Sequence, residues 1–252
     1  MSRTEAVAAS LSDMSDWLVG LAASSKHAHL LQGVQIAFVA AWCDAAEWPD
    51  VEFVRNWIFG FPIVGDIPDS GLFRPQETPA VVSADAFAPD ANRRWTDEVL
   101  RRVTAAARSA EGDAERILRA VHEQTRNEAR KGYVKGPLSR SQLNATFGKN
   151  NYRVMIRFGI EQGPDGARKV RAIDNAKSSL SNAVSGTHET IVCITFEFAA
   201  VVSALVLEEC IALGMEMLDM AVGFEDLTAA YRFIPTSQPE YTVFCVWQFG
   251  SD

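Results

Sequence analysis

The spacing of apolar positions changes several times along the 252-residue chain. Up to residue 60 it is helical. The run Val34-Gln35-Ile36-Ala37-Phe38-Val39-Ala40-Ala41-Trp42 predicts a buried helix, and the next segment carries Trp48, Phe53 and Trp57. Five of the ten prolines then fall between Pro62 and Pro89. That density forbids a regular helix and predicts a long connection whose first half packs on the protein through Phe61, Ile63, Val64, Leu72 and Phe73. From Arg93 helical spacing returns. Trp95, Val99, Val103 and Ala107 form one stripe, Ala114, Ile117, Leu118 and Val121 another, with Gly112 between two helices. Ser139-Arg140-Ser141-Gln142 has the form of a capping box and predicts a short helix to about Phe147.

A period of two follows. Tyr152, Val154, Ile156, Phe158 and Ile160 alternate with Arg153, Met155, Arg157, Gly159 and Glu161. Gly163-Pro164-Asp165-Gly166 supplies turn chemistry, and Arg168 to Ile173 resumes extended residues, so the stretch predicts a β-hairpin with one cationic face. Thr195 to Met220 predicts a long helix, too apolar to be exposed except at its glutamates, and Tyr241 to Trp247 a further strand. Helices, hairpin, long helix and strands in that order make an α+β chain. The expected organisation is a helical region over 1–60, a Pro-rich connection over 61–93, a basic helical segment over 94–150 and a mixed region over 151–252.

Composition narrows the class. With 48% hydrophobic and 22% charged residues, the chain is expected to be globular. Acids in MSRTEAVAASLSDMSDW argue against a secretory signal, and the most apolar stretch, Phe198 to Leu207, is too short for a bilayer. Cys43, Cys193, Cys210 and Cys245 are widely spread, which fits a reducing intracellular compartment, cytoplasmic or nuclear, better than a disulfide framework. The net charge is −8, yet Arg93 to Lys177 holds 19 basic and 10 acidic residues, a local balance of +9. This distribution suits either a polyanion site or solvated arginine-rich helices.

The histidines His27, His29, His122 and His188 complete no metal set, and neither a Gly-x-Ser-x-Gly elbow nor a glycine-rich phosphate loop occurs. Two constellations remain. The hairpin runs into KVRAIDNAKSSLSNAV, Lys169 to Val184, where cations on paired extended strands can hold a triphosphate at constant spacing. FEDLTAAYRFIP, Phe224 to Pro235, places Asp226 at the end of an apolar run, where a carboxylate at a strand terminus suits a divalent metal.

Together these phrases resemble retroelement reverse transcriptases. KVRAIDNAKSSLSN resembles their fingers motif, and FEDLTAAYRFIP, with Tyr231 five positions after Asp226, resembles their first palm motif. The resemblance covers about Tyr152 to Phe249. It implies a partial fingers–palm of a right-hand polymerase over 151–252, with RNA or DNA template–primer and deoxynucleotides as partners. Lys169 and Arg171 would contact the incoming triphosphate. Asp226 would ligate catalytic Mg2+, and Tyr231 would lie beneath the sugar. The implied chemistry is RNA-directed DNA synthesis by two-metal nucleotidyl transfer. Two departures stand out. Asn175 occupies the place where the fingers motif has Asp, with Asp174 just before it. No Asp-Asp pair occurs in the sequence, so an incomplete, inactive site is expected. A non-catalytic nucleic-acid-binding or structural protein keeping polymerase-like pieces is the alternative. An unrelated α+β domain, in which Asp226 starts a turn and Tyr231 is core, is a third.

Overall fold

A computed structural model describes residues 15–31, 34–164, 167–190, 196–214 and 234–250. Helical spacing in the first sixty residues becomes four short helices: α1 (15–24), α2 (Ala28–Leu31), α3 (Ile36–Ala45) and α4 (Phe53–Phe59). Leu18, Ala22, Leu31, Ile36 and Ile58 bury themselves together, with Val54 and Trp57 against them. Trp48, Phe53, Trp57 and Phe61 continue as edge-on and tilted ring pairs.

The Pro-rich stretch is more ordered than its composition predicts. It holds β1 (Asp66–Ile67), β2 (Arg74–Thr78) and a 3-10 turn (Ala84–Phe87). The strands flank β5 (Gly186–Thr190), which the sequence reading missed, in the order β1-β5-β2. Prolines are tolerated because β1 and β2 are both edge strands, where an N–H can be spared. Beneath this sheet Val64, Phe87 and Val184 form a second cluster, with Tyr241 packed on it.

Helix α5 (Pro89–Arg108) starts with Pro at its first turn, and α6 (Asp113–Arg130) follows after Gly112, whose φ of 56° suits glycine. The capping box forms as expected. Ser139 Oγ accepts from the Gln142 N–H, Gln142 Oε1 accepts from the Ser139 N–H, and α7 spans Arg140–Phe147.

The predicted hairpin is present as β3 (Val154–Gln162) and β4 (Lys169–Asp174), joined by β6 (Val243–Cys245) parallel to β3 in the order β4-β3-β6. The cationic face is a correction. Arg153 and Arg157 are only 4% and 3% exposed. Helices cover both sides of β3, so its alternation marks two buried faces rather than one dry and one wet. Val99 and Val103 of α5 pack with Val154 and Ile156 on one side. On the other, α6 lies so close that a Cβ on Gly159 would sit 2.5 Å from Ile117 Cγ2 and 2.8 Å from Val121 Cγ2.

The long apolar helix is α8 (Phe196–Ala212). Its expected burial is also corrected: Val201 is 56% exposed, Leu205 58% and Ile211 60%. Among the described residues no helix is long and apolar enough to cross a membrane. The architecture is α+β: helices with two three-stranded mixed sheets.

The last residues of the Phe224–Pro235 phrase dock on the segment after α4. The Phe61 N–H donates to Pro235 O (2.9 Å), and the Ser237 N–H donates to Phe61 O (3.1 Å). The Gln238 side chain accepts from the N–H groups of Ile63 and Val64 and donates to Val64 O. Gly60, at φ 100°, allows this approach, because a Cβ there would lie 2.2 Å from backbone atoms of Thr236 and Ser237.

Candidate functional site

Strand pairing fixes which hairpin side chains share a face. Ile160 lies opposite Arg171, Gln162 opposite Lys169 and Phe158 opposite Ile173, so these six lie on one side. Gly159, Arg157, Val170, Ala172 and Asp174 lie on the side that α6 covers. Lys169 and Arg171 are exposed, two positions apart, and Phe158 on the same face is exposed as well. A strand advances about 3.4 Å per residue, so the Cα atoms of the two cations stand roughly 7 Å apart. From that spacing two long side chains can converge on one polyphosphate, and Phe158, Ile160 and Ile173 form an apolar strip beside them.

Behind this open face, β4 is anchored by a buried arginine. Arg157 grips Asp174 with two bonds, Nε to Oδ1 at 2.7 Å and Nη2 to Oδ2 at 2.8 Å. Its Nη1 donates to Glu128 Oε2 (2.7 Å) and to Thr125 Oγ1 (3.1 Å), both on α6. The Phe244 ring of β6 lies 3.7 Å from the guanidinium. Burial works against the charge, but the Asp174 and Glu128 carboxylates outweigh it and raise the Arg157 pKa above the ordinary arginine value. One side chain thereby joins β3, β4, β6 and α6. The Ala172 N–H, donating to Gln124 Oε1 at 3.1 Å, ties the outer edge of β4 to the same helix.

The phrase after β4 is built as a tight connector to the other sheet. Asn175 donates its N–H to Ile156 O, and its side chain accepts from the Ser178 N–H. Ser179 is fully buried; its hydroxyl bonds Ala176 O and pairs with Ser181 Oγ. Arg153 Nε donates to Ser179 O at 2.7 Å, while Nη1 reaches Ala86 O and Asn92 Oδ1 at 3.3 Å. The rings of Phe87 and Trp95 flank its guanidinium at 5.0 and 4.8 Å. Among the described residues no carboxylate pairs with it, and burial pushes its pKa down to about 10, which leaves it charged at neutral pH.

The structure therefore brings Lys169 and Arg171 onto one open face. Asp226 and Tyr231 lie outside the described residues. Asp174, the carboxylate nearest to the motif position held by Asn175, lies on the opposite face of β4 from Arg171 and is engaged by Arg157. Among the described residues no group of three or more His, Cys, Asp or Glu side chains is placed to hold a metal ion. Sequence reasoning missed Arg157 and Glu128 as a pair. The available signal was a basic residue recurring on a strand that also carries glycine against a helix.

No protein-family model matches the chain, and no curated protein or solved structure matches it.

Proposed function

We propose that residues 151–252 form the fingers and leading palm of a reverse transcriptase-like polymerase, with the open face of β4 receiving the triphosphate of a deoxynucleotide beside a template–primer duplex. The observation that carries this reading is the shared, exposed placement of Lys169 and Arg171 on a strand held from behind by Arg157. An anchored strand presents both cations from fixed backbone positions, and charge-assisted bonds from them to phosphate oxygens are strong. By resemblance, Asp226 would supply the metal-ligating carboxylate and Tyr231 the surface beneath the sugar. Magnesium would contribute charge neutralisation at the phosphates.

The alternative, a non-catalytic nucleic-acid-binding protein, draws on the same face. It is favoured by the engagement of Asp174 with Arg157, which leaves that carboxylate turned from Arg171. Binding of a fluorescent RNA–DNA primer–template duplex, titrated between low and moderate salt, tests both readings. Salt-sensitive affinity, weakened by Arg171→Ala, is the expected result. Affinity indifferent to salt and to that change would remove both readings in favour of an unrelated α+β domain. A requirement for matched deoxynucleotide and magnesium to tighten the complex would separate the polymerase reading from the plain binding one.

A further inference from the structure

Helix α5 turns a second cationic surface away from the core. Arg94, Arg101 and Arg108 recur every seven residues, and all three are exposed. At 100° per residue this row lies on the side of the helix opposite Val99 and Val103, which pack against the sheet. Each step along the row is about 10.5 Å, so the three cations span roughly 21 Å.

The acids near the row are already used. Asp97 binds Arg140 (2.6 Å) and lies 4.0 Å from Arg93, Glu98 bonds both Arg101 and Arg102, and Asp90 lies 3.7 Å from Arg93. Among the described residues no carboxylate pairs with Arg94 or Arg108. Six arginines thus share three carboxylates on α5 and the start of α7, a surplus of positive charge. Between Arg101 and Arg108 on this face stand the small side chains of Thr104 and Ala105. Thr104, Ala105 and Leu100 line a shallow, open hollow beside these arginines and Arg102.

We infer that the outer face of α5 is a backbone track for a nucleic-acid duplex, distinct from the β4 face. A row of long, spaced cations over small residues fits a regularly charged rod. A lipid surface would require a broad apolar stripe, and among the hollow's lining residues Leu100 alone is a large apolar side chain. The inference rests on the reading of this chain as one that binds nucleic acid, and it adds a second surface to that reading. Arginines here would contact phosphates without reading sequence, so they would position the duplex rather than select it.

The test is the salt dependence of duplex binding by the full chain and by the triple variant Arg94→Ala, Arg101→Ala, Arg108→Ala, with helicity by circular dichroism confirming the fold. Loss of three phosphate contacts lowers the slope of log K against log salt by about 2.7, since each contributes roughly 0.9. An unchanged slope in a folded triple variant overturns the inference, as does wild-type binding to vesicles of phosphatidylserine and phosphatidylcholine in preference to duplex. A triple variant that misfolds is replaced by Arg108→Glu alone, for which a slope reduced by about 1 or more supports the track and an unchanged slope overturns it. The pair Lys169→Ala, Arg171→Ala separates this from the polymerase reading. If that pair leaves nucleotide binding intact while the α5 triple weakens duplex binding, the hairpin reading fails and the track stands.

Discussion

Two arginines on β3 or beside it, four residues apart, are both buried, and they are held by opposite means. Arg157 is neutralised: two carboxylates, one on the paired strand and one on α6, take four of its bonding directions with Thr125, and an aromatic ring closes the side. Arg153 has carbonyls, an amide oxygen and two ring faces. The first is an ion-pair junction that fixes the hairpin against its helix. The second is a dipole-solvated cation that fixes the connector between two sheets. Burial of charge in this chain thus serves position, and the consequence of removing each charge depends on what it leaves behind.

The largest effect is expected for Arg157→Leu. Asp174 and Glu128 would be left close together without their cation, and breaking a pair of this kind typically destabilises by about 3–5 kcal/mol. Urea unfolding measures it. Adding Asp174→Asn and Glu128→Gln should recover part of that loss, because the two negative charges that had faced the guanidinium are removed with it. Recovery of nothing would mean that the carboxylates are not what makes Arg157 matter.

Next comes Arg153→Leu, where only neutral acceptors are orphaned. A loss of about 1–3 kcal/mol is expected, on the scale of unsatisfied buried polar groups. Since Arg153 connects the sheets, limited proteolysis of this variant should open the 175–185 segment first. A loss equal to or larger than that of Arg157→Leu would invert the comparison.

A smaller effect extends it to a buried imidazole. His27 is buried, and its Nε2 meets no hydrogen-bond acceptor or donor among the described residues. Burial first, and then the Lys26 charge, lowers its pKa below the ordinary histidine value of about 6.5. The folded chain therefore resists protonation that the unfolded chain accepts. The stability from neutral His27 is complete above about 6.5 and is lost as pH falls from there through the depressed folded pKa. His27→Gln should flatten stability between pH 7.5 and 5.5. An unchanged slope would assign the acid sensitivity elsewhere.

The same contrast explains what the sequence could disclose. Capping at Ser139, the break at Gly112 and the hairpin were legible because each depends on neighbours within a few positions. Sequence alternation alone puts Arg157 on a cationic hairpin face, because its partners lie 17 and 29 residues away, on other elements. β2, with the sequence RPQET and every residue exposed, has no apolar alternation to betray it; only pairing with β5, more than a hundred residues later, makes it a strand. Exposure of α8 defeats a reading that equates apolar with buried. Of the candidate site, the side-by-side placement of Lys169 and Arg171 followed from strand spacing alone, whereas the anchor behind them required the fold.

The proposed binding of a nucleoside triphosphate on the open face of β4 is tested most directly by photocrosslinking. An azido-substituted deoxyadenosine triphosphate, irradiated with the full chain and mapped by peptide mass spectrometry, should label the segment containing Lys169–Asp174. Lys169→Ala with Arg171→Ala should reduce that labelling by about tenfold, the equivalent of roughly 1.4 kcal/mol in binding. Labelling confined to other segments, or undiminished in the double variant, would contradict the assignment.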